Sequence, residues 1–255
     1  MERFIHSLVY VSALLVGTLP ATGQTQSRRT ADGKPDFSGV WQAVNTAARD
    51  LQDHSGQLGV PPGLGVVEGG EIPYQAAAAA KKADNFAHRA TADPTEASCY
   101  LPGVPRATYM PFPFEIVQTP KQVAFIYEFA HALRNVPMDA SPHPDGLPDA
   151  WMGDSRGHWE GDTLVTDVRN FNDQTWFDHA GNFHSDALHV VERYTLSGAD
   201  HIQYEATIED PKVFTRPWKI SMPLYRRMEK NIRLLEYECV FYQQEEKFRN
   251  APFHK

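Results

Sequence analysis

The chain reads as mainly β: an antiparallel barrel, closed or nearly closed, with one early helix. Three observations predict this. After Pro94 the sequence falls into short segments in which apolar and polar residues alternate with period two, the pattern of half-buried antiparallel strands. Short stretches rich in Gly, Pro and Asp separate them, as turns do. Only one stretch, rich in alanine, reads as a helix. No internal repeat of fixed period is visible, which counts against a propeller or solenoid.

At the start, Arg3 precedes an apolar run from Leu8 to Leu19, and Ala21-Thr22-Gly23 follows. This is the layout of a secretory signal peptide over residues 1–23. A retained anchor fits less well, because the run is well short of the ~20 apolar residues that span a bilayer. Residues 24–255 read as one β-rich domain. The expected location is therefore exported, periplasmic or secreted, with no stable membrane insertion after cleavage.

The first expected strand is Asp36-Phe37-Ser38-Gly39-Val40-Trp41. Residues 53–70 are rich in Gly and Pro and read as a loop. Pro73 suits the first turn of a helix over about 74–89, where Ala76 to Ala80 are strong helix formers. Phe114 to Gln118 and Gln122 to Phe129 form one expected hairpin, and Arg156 to Glu160 with Thr163 to Phe171 a second around Gly161-Asp162. His189 to Leu196 and His201 to Glu209 make a third. In the last of these Ile202, Tyr204, Ala206 and Ile208 share one face. Trp218 to Leu224 repeats the alternation, and Leu234 to Tyr242 reads as a final strand.

Two resemblances bear on the fold. Phe37-Ser38-Gly39-Val40-Trp41 is similar to the Gly-x-Trp opening strand of lipocalins and related calycin barrels, and Trp159-Glu160-Gly161-Asp162-Thr163-Leu164 resembles a strand-turn-strand of small lipocalin-like domains. More of the chain resembles an uncharacterised family of exported proteins common in soil bacteria. The residues that carry this likeness are Asp154 to Leu164, Trp176-Phe177-Asp178, His184 to Leu188, Asp210-Pro211 and Pro217-Trp218. That resemblance implies a shared fold and compartment, and no activity.

A formal net charge of -8 argues against nucleic acid or an anionic membrane as partner, since both select basic patches. A small-molecule ligand or substrate is expected instead. The two cysteines, Cys99 and Cys239, have one way to pair. A bridge would close a loop of roughly 140 residues and stabilise by roughly 4–5 kcal/mol in the chain-entropy model. Two free buried thiols are the alternative.

The chemistry-bearing residues concentrate between His143 and Glu192. A turn at Gly181-Asn182 brings Asp178 and His184 toward each other, and a carboxylate beside an imidazole suits acid–base catalysis. The alternative is that Asp178 caps a turn and His184 caps a strand. His158 is the third candidate catalytic residue, and Arg156, Trp151, Trp176 and Tyr109 are the expected substrate-binding residues. The run Tyr109-Met110-Pro111-Phe112-Pro113-Phe114 offers an apolar wall, though aromatics also fill cores. Arg169 and Arg193 read as outward, salt-bridged surface. No cofactor is expected. A metal held by His184, His189, His158 and Glu160 is a second option, but no compact metal signature is present. Nucleophilic serine chemistry has little support, because no Gly-x-Ser-x-Gly elbow occurs. The expectation is thus an exported barrel enzyme acting on a small apolar or aromatic molecule by His/Asp acid–base chemistry, as a lyase, isomerase or hydrolase. The alternative is a non-catalytic barrel that binds such a molecule.

Overall fold

In the computed structural model, residues 28–57 and 60–240 are described. The signal-peptide region and residues 241–242 of the expected last strand lie outside them. Nine strands are present: β1 (Gly39–Ala43), β2 (Phe114–Gln118), β3 (Gln122–Tyr127), β4 (Leu133–Pro137), β5 (Asp154–Glu160), β6 (Thr163–Arg169), β7 (His189–Leu196), β8 (His201–Glu209) and β9 (Trp218–Arg226). Three helices, α1 (Ala76–Ala92), α2 (Pro94–Ser98) and α3 (Arg106–Tyr109), lie between β1 and β2.

The hydrogen-bonded order is β4-β3-β2-β1-β9-β8-β7-β6-β5, with every pairing antiparallel. This is a nearly closed barrel. Its one gap has a geometric cause. Nine strands of alternating direction leave the two end strands, β4 and β5, running the same way. A hairpin cannot join parallel neighbours; the chain must cross over through a dozen or more residues. Residues 138–153 make that crossing, and no ladder forms between β4 and β5.

Side chains close the seam instead. Arg134 of β4 is buried and donates from Nε to Ser155 Oγ of β5 at 2.8 Å and from Nη2 to Thr166 Oγ1 of β6 at 3.1 Å. It also pairs with Glu192 of β7, equally buried. The other Glu192 oxygen accepts from the hydroxyls of Tyr194 and Tyr204, at 2.9 and 2.8 Å. At Gly157 of β5 a side chain would run into Val136 and Met138, so the strands approach more closely than any larger residue allows.

Period two puts the apolar set inside. Phe114, Ile116, Val123, Phe125, Ile202, Tyr204, Ile208, Ile220 and Leu224 are buried in the ring. At one end the Trp41 ring lies 4.2 Å under the Arg226 guanidinium, which also donates to Ser38 O. The near-closure fits the lipocalin-like resemblance loosely, at the level of architecture.

Cys99 and Cys239 form a disulfide with Cα atoms 5.5 Å apart. Among the described residues no helix is long and apolar enough to cross a membrane. Both findings are compatible with an exported protein.

Several expected elements shift. The helix runs to Ala92, three residues past its expected end, because the next residues break it: Asp93 is extended and Pro94 starts α2. β4, α2 and α3 were not anticipated. The expected final strand is not formed over 234–240; only Tyr237 makes an isolated bridge, to Phe129.

Candidate functional site

The segment 176–183 folds as a tight loop, with Trp176 bridging Phe183 and Phe177 N–H donating to Asn182 O. Gly181, at φ +83°, brings the loop so close to α1 that a Cβ there would meet Asn85 Cβ at 2.7 Å and the Phe86 backbone nitrogen at 2.8 Å. Asn85 Nδ2 donates to Gly181 O. Asp178 caps the same loop from within. Its carboxylate accepts from Asn182 N, Asn182 Nδ2 and Leu51 N at 3.1, 2.6 and 2.8 Å. These bonds, with His179 N–H to Ala48 O, fix the 45–51 loop against the turn. Burial pushes the Asp178 carboxyl up to about 7, with nearby Asp50 adding to the rise.

His184 stands apart from Asp178, and no hydrogen bond joins them. A carbonyl only accepts, so His184 Nδ1 donates to Ser185 O at 2.9 Å, and Thr175 Oγ1 donates to Nε2 at 2.6 Å. Burial holds this ring below its ordinary value. Both ring nitrogens are therefore occupied in a neutral, enclosed imidazole.

Of the other expected site residues, Arg156 and His158 share an open pocket of about 330 Å³ on the outside of the barrel with His143 and Asp167, and the rest lie elsewhere. His158 is exposed on the outer face and bonds Glu160. Arg156 binds Asp154 through two nitrogens and Ser141 through a third. Tyr109 is buried with its hydroxyl on Phe177 O, and Trp151 packs edge-on to Tyr100 at 4.5 Å. Trp176 is buried beside the 176–183 turn. His143 bridges Asp154 and Asp167 at 2.6 and 2.8 Å, and His189 bonds the other Asp167 oxygen at 2.8 Å. With Arg156 on Ser141, these contacts pin the 138–153 crossover to the outside of the barrel. Arg169 and Arg193 pair outward with Asp167 and Glu160, as their alternation implies.

A different cluster forms where α2 meets the 176–183 turn. Asp93 is fully buried. It caps α2, accepting from Thr95 N and Glu96 N at 3.0 and 3.3 Å. The buried Arg106 guanidinium binds it through two nitrogens, at 2.9 and 2.8 Å, and His179 Nδ1 lies 2.9 Å from Oδ2. Burial by itself would raise this carboxyl. The bonds from His179 and Arg106 outweigh it and hold Asp93 well below the usual carboxylate range. Asp93 is thus ionised and accepts only, so His179 Nδ1 carries a proton toward it, with Glu96 Oε2 also 3.2 Å away.

His179 lines a cavity of about 460 Å³ with Arg49, Asp50, His54, Gln57, Phe86 and Arg89. A second cavity of about 520 Å³ has Arg49 and Val60 in common with it and is walled by Met110, Pro111, Phe112, Phe129 and Tyr237. Both volumes suit small molecules. No residue of β1–β9 lines either cavity: their walls come from loops, α1 and α2. From the expected aromatic run, Phe112 reaches a cavity wall and Tyr109 does not.

Among the described residues, Asp93, Glu96 and His179 are the one group of three potential metal ligands whose atoms all lie within 4.8 Å of one another. Their chemistry disfavours a cation. Arg106 occupies both Asp93 oxygens, and Arg49 and Arg106 both pair with Glu96. Two guanidiniums already hold the positions that a divalent ion needs.

In sequence, Asp93-Pro94-Thr95-Glu96 carries a helix-start signature. It gives no sign that the capping carboxylate also orients His179, which lies 86 residues away. The chain matches no family model, no curated protein and no solved structure.

Proposed function

We propose that this is an exported enzyme that removes a proton from a small molecule, with His179 as general base and Asp93 as its positioning residue. The observation that carries the reading is the 2.9 Å contact between His179 Nδ1 and a buried, ionised carboxylate, on a ring that lines a ligand-sized cavity. A carboxylate on one ring nitrogen fixes the tautomer and stabilises the charge that forms when the other takes a proton. The polar cavity supplies the base, and the adjoining aromatic cavity suits an apolar or aromatic body. A lyase, isomerase or hydrolase is compatible with this placement. Export is supported by the disulfide and by the sequence of residues 1–23.

A neutral aromatic probe tests it. In nitrobenzisoxazole a base takes the ring C–H proton, the electron pair forms a nitrile, and the N–O bond breaks to give a coloured cyanonitrophenolate. The protein is expected to accelerate this by at least about 10²-fold over buffer, and His179→Ala to remove the acceleration. Binding of the probe with no rate above buffer would instead make the protein a binding module.

A further inference from the structure

Resting on the reading of His179 as base, we infer that the molecule it acts on is an anion: an aromatic or acyl carboxylate, its body in the cavity of Phe112, Phe129 and Tyr237 and its acid group held by Arg49 and Arg89. The charge distribution around the polar cavity carries this. The chain as a whole is acidic, with a net charge of -8, yet two guanidiniums, those of Arg49 and Arg89, line this cavity. Arg49, Arg89, His54 and His179 line the polar cavity, and Asp50 is the single carboxylate on its wall. Lys82 lies close enough to Asp50 to stabilise its charge.

The two arginines differ in what already engages them. Arg49 lines both cavities and spends one nitrogen, Nη1, on Glu96, which Arg106 also neutralises. Arg89 donates from Nη1 to Phe86 O at 2.6 Å and lies 4.0 Å over the Phe86 ring, so its guanidinium is held in place on α1. Among the described residues no carboxylate pairs with it. A planar guanidinium fork fixed beside an open cavity matches a carboxylate better than a neutral group. Arg49, standing on the wall between the cavities, is where an acid group meets an aromatic body.

Two fluorescent probes of nearly the same aromatic shape separate charge from hydrophobicity: anilinonaphthalene sulfonate, an anion, and phenylnaphthylamine, which is neutral. Titrated into the folded protein, the anion is expected to bind at least about tenfold tighter, and Arg89→Met to abolish that preference while leaving neutral-probe binding in place. Retained neutral binding shows that the variant folds. Arg49→Met is the second variant, expected to lower the preference at the shared wall. Equal or tighter binding of the neutral probe to the unaltered protein would overturn the inference, as would an anion preference untouched in both variants. The nitrobenzisoxazole rate on the same samples keeps the two readings separate. Proton abstraction without anion preference removes only the substrate class, and anion preference without proton abstraction removes only the base.

Discussion

The Asp93 carboxylate that caps α2 is also the hydrogen-bond partner of His179 Nδ1, at 2.9 Å. One side chain thus starts a helix, neutralises Arg106 and orients an imidazole.

Removing that charge has a structural effect larger than removing the imidazole. Asp93→Asn leaves the buried Arg106 guanidinium with the longer 3.6 Å pair to Glu96 in place of its bidentate partner, which costs about 3 kcal/mol. His179 is partly exposed, and His179→Ala is expected to cost less than about 1.5 kcal/mol while stopping proton abstraction. Urea denaturation of both variants checks the ordering. An Asp93→Asn protein as stable as the parent would contradict the buried pair.

Asp178 makes stability depend on pH around neutrality. Its folded value is raised to about 7, against an unfolded value near 3.8. The folded state therefore holds this proton more tightly than the unfolded chain does. The contribution is fully present below about pH 4 and is lost as pH rises through 7, amounting to as much as about 4 kcal/mol. Asp93 has the opposite sign. Its value is depressed, so its contribution is present above about pH 4 and is lost as pH falls further. Denaturation midpoints between pH 5 and 8 should decline toward the alkaline end, and in Asp178→Asn, less stable overall, that decline should flatten.

Across the barrel seam, Arg134 and Glu192 form a pair for which a double-mutant cycle is informative. Arg134→Met alone leaves Glu192 charged and buried, an expected loss of about 3–5 kcal/mol. Replacing Glu192 by Leu as well should recover much of it. Denaturant midpoints of the four proteins give the coupling. Additive losses would mean that the two charges do not compensate one another.

Reduction of the Cys99–Cys239 bridge releases a constraint spanning 140 residues. The chain-entropy model puts the loss at about 4–5 kcal/mol. Because Cys239 lines the aromatic cavity, binding of the neutral probe should weaken in the Cys99→Ala/Cys239→Ala protein at temperatures where it remains folded.

Local pattern made most of the barrel legible. β2, β7 and β8 occupy the residues that period two assigns them, since a one-residue slip would turn their apolar faces outward. β4 escaped notice because its alternate residues include Arg134, a buried charge that reads as surface until Glu192 is placed opposite it. The site was less legible. Asp178 and His184 look like a pair on paper, but the turn between them sends Asp178 to Leu51 and His184 to Thr175. The residue beside Asp178, His179, faces the cavity. Its partner comes from a helix cap far up the chain, and no spacing rule connects the two.

The ring also has an uneven history in sequence. Seven of its eight ladders join strands consecutive in sequence, although three helices separate β1 from β2, whereas β1 and β9 pair residues such as Trp41 and Arg226 from opposite ends of the chain. Closing so long a loop is slow compared with zipping a hairpin. During synthesis β1 must wait, its edge unpaired on that side, until β9 emerges. The Phe37–Trp41 segment is therefore the part of the nascent chain most in need of protection from other strands.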